Sequence, residues 1–102
     1  MDRTQLLDTR SRAIGASWAQ TVLAATREEG RSIAGGWPGT LPEARALVGL
    51  EFTRELGARA LGILCPSELS TAVSIAYERA KRDWLAAARA ARTSELRMRS
   101  TG

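Results

Sequence analysis

The sequence predicts an all-α protein, three long helices in a bundle with short connections. Three observations carry this. Apolar residues recur at helical spacing in three long stretches, no stretch alternates apolar and polar residues with period two, and only two sites punctuate the chain, "GGWPGT" at 35–40 and "CPS" at 65–67. The chain of 102 residues is long enough for one domain. The reading places that domain at 1–93 and a polar, basic C-terminal tail at 94–102, which is expected to fray.

The first helix is predicted from about Thr4 to Ile33. At about 100° per residue, Leu7, Ile14, Trp18, Val22, Ala25 and Ile33 fall on one stripe, and Arg12, Gln20, Arg27 and Arg31 lie away from it. Gly15 and Gly30 are tolerated, each weakening the helix by roughly 1 kcal/mol relative to Ala, and the end of the helix stays open near Gly30.

The glycine-rich stretch then turns the chain. "GGWPGTLPEAR" lacks the Gly-Lys-Ser/Thr of a phosphate loop, and the dinucleotide fingerprint needs a strand before it. What it has is helix-start chemistry. Thr40-x-x-Glu43 matches a capping box, and Pro42 sits in the first turn, where its missing N–H does no harm. Gly35, Gly36 and Gly39 are expected to supply positive φ. Trp37 is expected to seal the turn, with contact to a partner as its alternative role.

The second helix is predicted from about Leu41 to Leu64, with Ala46, Leu50, Phe52, Leu56, Ala60, Leu61, Ile63 and Leu64 on its apolar stripe. Leu47 and Val48 fall off that stripe, as do Ile75 and Leu85 on the third helix. Glu55 and Arg59 have the favourable i,i+4 order. Gly49, Thr53 and Gly57 recur at successive fours and form a groove that would admit another backbone, a candidate self-association surface. The short joint at 65–67 demands an antiparallel hairpin or a sharp corner. There Cys65 or Ser67 can cap and Glu68 suits the helix dipole.

The third helix is predicted from about Glu68 to Arg92, with Met98 as its furthest end. Leu69, Ala72, Val73, Ala76, Tyr77, Ala80, Trp84, Ala87, Ala88 and Ala91 share its apolar face. Helices of about 35–45 Å are long for a chain of this size. Completion of the bundle by self-association, as a homodimer or higher oligomer, is therefore expected.

Composition restricts the chemistry. The chain has no His and a single cysteine, Cys65. That removes the commonest general acid–base, a Cys–His pair, an internal disulfide and a Cys-rich zinc site. Glu28 and Glu29 point to different sides of a helix, while Glu51 and Glu55 share a face with arginines nearby. The expectation is a non-enzymatic protein with no cofactor and no metal. The N-terminus lacks an apolar signal core and no apolar run has transmembrane length, so no membrane role and a cytoplasmic location are expected.

Charge is the last signal. The net charge is +4, with 15 basic and 11 acidic residues. From Arg79 onward there are seven basic and two acidic residues, so the remainder of the chain sums to −1. Lys81, Arg82, Arg89 and Arg92 lie on the polar side of the third helix, opposite Tyr77 and Trp84. They are the candidate phosphate contacts. The expected function is an interaction or regulatory module that self-associates and docks on a partner protein. The alternative is a nucleic-acid-binding protein, or a small helical subunit of a nucleoprotein complex, using the basic helix against the phosphate backbone.

Overall fold

The computed structural model describes residues 2–33, 36–56 and 65–101, with backbone alone at 55–56 and 95–101. Among the described residues there are three helices and no strand: α1 (Arg3–Glu28), α2 (Leu41–Leu56) and α3 (Pro66–Thr101). The all-α class is as the sequence predicts.

The helices run up, down and up. Arg3, at the start of α1, pairs with Glu68, at the start of α3. Midway, Gly15 lies against Ala76 and Arg79, so α1 and α3 are parallel. Trp37, just before α2, reaches Trp18 and Trp84, while Leu47 and Glu51 further along α2 stand beside Arg10 and Ile14. α2 is thus antiparallel to both, the hairpin alternative for the second joint. α1 packs chiefly on α3, and α2 leans on α3 more than on α1.

α1 starts and stops on local chemistry. The Asp2 carboxylate accepts from the Gln5 N–H at 2.8 Å, and Asp2 N–H donates back to Gln5 Oε1 at 3.4 Å, a reciprocal capping box. At the other end Gly30 takes φ +71°. Its N–H donates to the Arg27 carbonyl and that of Arg31 to the Thr26 carbonyl, the two bonds of a Schellman motif. The helix therefore ends at Glu28 and not near Ile33. Gly30 is not an interior glycine but the left-handed residue that stops the helix.

The buried face of α1 is turned from the predicted stripe. Ser11, Gly15, Trp18, Ala19 and Leu23 are buried, Leu7, Ile14 and Val22 lie at the edge, and Ala25 is exposed. The reason is the partner. Ser11, Gly15 and Ala19 recur at fours along α1, and Ala72, Ala76 and Ala80 do so along α3; all six are buried. Small residues facing small residues let two backbones approach closely. A Cβ added at Gly15 would meet the Ala76 carbonyl oxygen and stand 2.9 Å from Arg79 Cβ. The Ser11 hydroxyl, buried in this seam, donates to the Leu7 carbonyl at 2.6 Å and so leaves no unsatisfied donor.

α2 is also turned. Ala44, Val48 and Phe52 are its buried residues, whereas Ala46 is exposed and Leu50 is 55% exposed. Val48, predicted off the stripe, is a core residue, and Leu47 is half-buried against the core. Ala60, Leu61, Ile63, Leu64 and the Glu55–Arg59 pair lie outside the described residues and side chains. On α3 the predicted face holds: Ala72, Val73, Ala76, Ala80, Trp84 and Ala88 are buried. The helix continues past Arg92 to Thr101. At about 1.5 Å per residue α3 is about 54 Å long against about 39 Å for α1, so its C-terminal turns run past the end of α1.

Candidate functional site

Three features deserve a functional reading: the tryptophan cluster at the first turn, the outer face of α2, and the basic side of α3.

Trp37 is held between two other tryptophans. Its ring centroid lies 4.9 Å from that of Trp18 at 79° and 5.7 Å from that of Trp84 at 62°. Edge-to-face pairs of this kind are worth about 0.5–1.5 kcal/mol each beyond burial. Gly39 lies under the indole, where a Cβ would stand 2.5 Å from Trp37 Cε2. The glycines of the turn were expected to serve through positive φ. Among the described residues only Gly30 has one, so Gly39 serves by closeness and not by handedness. The Trp37 indole nitrogen is buried with no hydrogen-bond acceptor, its surroundings being aromatic. Trp37 thus seals the turn against its own chain.

Thr40 and Glu43 start α2, though not as a full box. The Glu43 N–H donates to the Thr40 hydroxyl at 3.3 Å, and that hydroxyl donates to the Glu43 carboxylate at 2.9 Å. The predicted return bond to the Thr40 N–H is replaced by this side-chain pair.

Cys65, exposed, joins a small knot at the start of α3. Arg3 donates twice to the Glu68 carboxylate, from Nε at 2.8 Å and Nη2 at 3.0 Å. The Cys65 N–H donates to Glu68 Oε1 at 3.1 Å, and its thiol lies 3.2 Å from that same oxygen. These donors, Arg3 first, hold the Glu68 carboxyl down to about 2. The knot ties the start of α1 to the start of α3, with the thiol donating to the Glu68 carboxylate.

Gly49 and Thr53 sit on the side of α2 away from Ala44, Val48 and Phe52. Nothing lies within 4 Å of a Cβ added at Gly49, and the Thr53 hydroxyl turns back to the Gly49 carbonyl at 2.7 Å. Gly57 lies outside the described residues. The close helix approach inside this chain is therefore made at Gly15 and not along the Gly49–Thr53 groove. The signal that could have found it was the matching run of small residues at fours, Ser11, Gly15 and Ala19 against Ala72, Ala76 and Ala80. Between α1 and α2 a cleft of about 370 Å³ opens, floored by Ile14, Trp18, Leu47 and Phe52, with Arg10 and Glu51 at its mouth. It can take apolar groups, with the hydroxyls of Ser17 and Thr21 also on its lining.

Lys81, Arg82, Arg89 and Arg92 are all exposed on the side of α3 away from its buried face. No ion pair joins them to a carboxylate among the described residues. Lys81, Arg82 and Arg89 line one shallow concavity of about 380 Å³. Two other arginines nearby are paired: Arg79 with Asp83 at 3.1 Å and, from α1, Arg12 with Asp8 at 3.0 Å. Sequence spacing on one helix could not bring Arg12 to this side of α3; only the parallel packing of α1 does.

Among the described residues no group of three or more His, Cys, Asp or Glu side chains could hold a metal ion, and no helix is long and apolar enough to cross a membrane. No family model, no curated protein and no solved structure matches the chain.

Proposed function

We propose that this chain is a non-enzymatic helical module that works by association, self-associating through the outer face of α2 and presenting its remaining surface to a partner. The observation that carries this is Leu50, 55% exposed beside an open Gly49. At helical spacing Ala46, Gly49, Leu50 and Thr53 share the arc of α2 opposite its buried residues. Two such faces from two copies would bury Leu50 and use the glycine for close approach. Light scattering across a concentration series tests it. The expected result is a dimer mass that Gly49→Leu and Leu50→Asp both reduce to a monomer. Leu50→Asp leaves the monomer's own packing in place because Leu50 faces outward, and a Cβ at Gly49 meets open space. A monomeric mass at every concentration overturns the reading.

A second reading rests on a different observation: four exposed cations on α3 with no carboxylate partner among the described residues. Those residues, Lys81, Arg82, Arg89 and Arg92, would contact the phosphates of a nucleic acid. Salt-sensitive binding that weakens when Arg82 and Arg89 become Ala supports it. Binding indifferent to salt and to those changes removes it.

A further inference from the structure

We infer that the basic face is a composite of α1 and α3 that seats the backbone of a double-stranded nucleic acid. This rests on the second reading above and goes beyond it in naming the α1 contribution and the duplex.

Arg12 comes from α1 and joins Arg79 and Arg82 of α3 around a concavity of about 310 Å³, with Ser74 at its wall. The concavity of Lys81, Arg82 and Arg89 follows along α3, and Arg82 belongs to both. The cations therefore form a track and not a point. From Ser74 to Arg92 the track is about 27 Å long at about 1.5 Å per residue. A duplex carries one charge per about 3.4 Å on each strand, so several consecutive phosphates lie within reach.

The choice of a duplex comes from where the rings are. The chain has three Trp, one Tyr and one Phe. Trp18, Phe52 and Trp84 are buried, and Trp37 and Tyr77 pack against that core. None is left on the basic face to stack an unpaired base, which single-strand binding requires. The choice of nucleic acid over an acidic protein has a parallel basis. Protein interfaces draw affinity from buried aromatic or apolar anchors. On α3 the one exposed large apolar side chain among the described residues is Leu85, 40% exposed and flanked by cations.

The acidic groups on this face define its limits. Asp8 and Asp83 already pair with Arg12 and Arg79, and Glu78 borders both concavities. Glu78 therefore opposes a phosphate, and its neutralisation strengthens binding.

The test is fluorescence anisotropy with a short labelled DNA or RNA duplex over a salt series. The variants are Arg12→Ala, the double Arg82→Ala/Arg89→Ala, Glu78→Gln, and Arg45→Ala as a charge-matched control exposed on α2. With six phosphate contacts, from Lys81, Arg82, Arg89 and Arg92 and from Arg12 and Arg79 once phosphate replaces their weakly held surface carboxylates, affinity falls about 10³-fold between about 50 and 200 mM salt; the double variant reduces that to about 10²-fold. Arg12→Ala is expected to lower the log–log salt slope by about 0.9, Glu78→Gln to tighten binding, and Arg45→Ala to change neither slope nor affinity. Absence of salt-dependent binding to any nucleic acid overturns this inference and the second reading together. If the double variant weakens binding while Arg12→Ala is silent, the α3 ridge stands and the composite seat falls. Equal effects of Arg45→Ala and Arg12→Ala show diffuse charge and overturn the seat. Tighter binding of a single strand of equal charge, or displacement by polyglutamate at equal charge concentration, overturns the choice of a duplex.

Discussion

Gly15 and Gly49 are both interior helix glycines, and the structure assigns them opposite responses to the same change. Replacing a mid-helix Gly with Ala gains about 1 kcal/mol from propensity alone. At Gly49 nothing opposes that gain, because a Cβ there meets open space. At Gly15 the new Cβ meets the Ala76 carbonyl oxygen, and Ala76 C and Arg79 Cβ at 3.1 and 2.9 Å. Two of the three obstacles are backbone, so no side chain can swing aside and the two helices must separate. Overpacking of this kind costs about 1–3 kcal/mol, and separation also loosens Ser11 and Ala19 against the alanines opposite. Net of the propensity gain, Gly15→Ala should destabilise by about 2 kcal/mol at the upper end of that range and Gly49→Ala should stabilise by about 1 kcal/mol. For a domain of this size, about 4–8 °C per kcal/mol converts these to a Tm about 10 °C lower and about 5 °C higher. Thermal melts followed by far-UV circular dichroism at low protein concentration read both. A Gly15→Ala protein stabilised as much as Gly49→Ala would refute the close-packed α1–α3 seam.

The other predictions concern the tryptophan cluster and the knot at the start of α3. Trp37→Ala should lower stability by about 3 kcal/mol, the low end for loss of a large ring because Trp37 is only half-buried, read as a shift in the urea midpoint at unchanged slope. Gly39→Ala should expel the Trp37 ring, because its Cβ would stand 2.6 Å from the indole nitrogen; a red-shifted emission maximum in the folded state reports it, and an unshifted one counts against the packing. Glu68 supplies a pH prediction. Its folded carboxyl is held down to about 2, below its ordinary range near 4.5, so its contribution to stability is complete above that ordinary range and is lost as pH falls through about 2. Arg3→Ala removes the leading cause, and carbon-detected NMR should then show the Glu68 midpoint raised toward its ordinary value, while the Cys65 N–H and thiol still hold it below.

The class, the number of helices and the α3 face were legible because long runs of helical periodicity survive local error. What was not legible was rotation and partnership. The α1 stripe was drawn through Leu7, Ile14 and Val22 because pattern reading weights large residues. The seam actually buries Ser11, Gly15 and Ala19, which score as weak or polar on any hydrophobicity count. Their importance depends on facing Ala72, Ala76 and Ala80, and a single stretch of sequence does not show what it faces. The same holds for α2, where Val48 and Leu50 are two positions apart and their roles were exchanged. The helix end near Gly30 stayed open for a different reason. Its Schellman bonds involve backbone groups alone, and one glycine can equally sit inside a helix or end it. On the candidate surface, the four α3 cations followed from spacing on one helix. Arg12 did not, since its place beside Arg79 exists only through the parallel register set by Arg3 and Glu68 at one end and Gly15 in the middle.

The two proposed surfaces use different sides of the bundle, and that makes them separable and also coupled. Self-association through Ala46, Gly49, Leu50 and Thr53 of α2 leaves Lys81, Arg82, Arg89 and Arg92 of α3 exposed. A dimer built this way carries two basic tracks. If both engage one duplex, the number of neutralised phosphates doubles and so does the salt slope; a second engagement that is intramolecular adds avidity without any new contact. Leu50→Asp is therefore the informative change, since it touches no cation of the track. It adds a negative charge far from Arg12 and Arg89 in sequence and on another helix. If the surfaces act together, Leu50→Asp should cut duplex affinity and roughly halve the salt slope, in step with the loss of dimer mass. If it abolishes the dimer and leaves the slope intact, each protomer binds alone and α2 serves some other end.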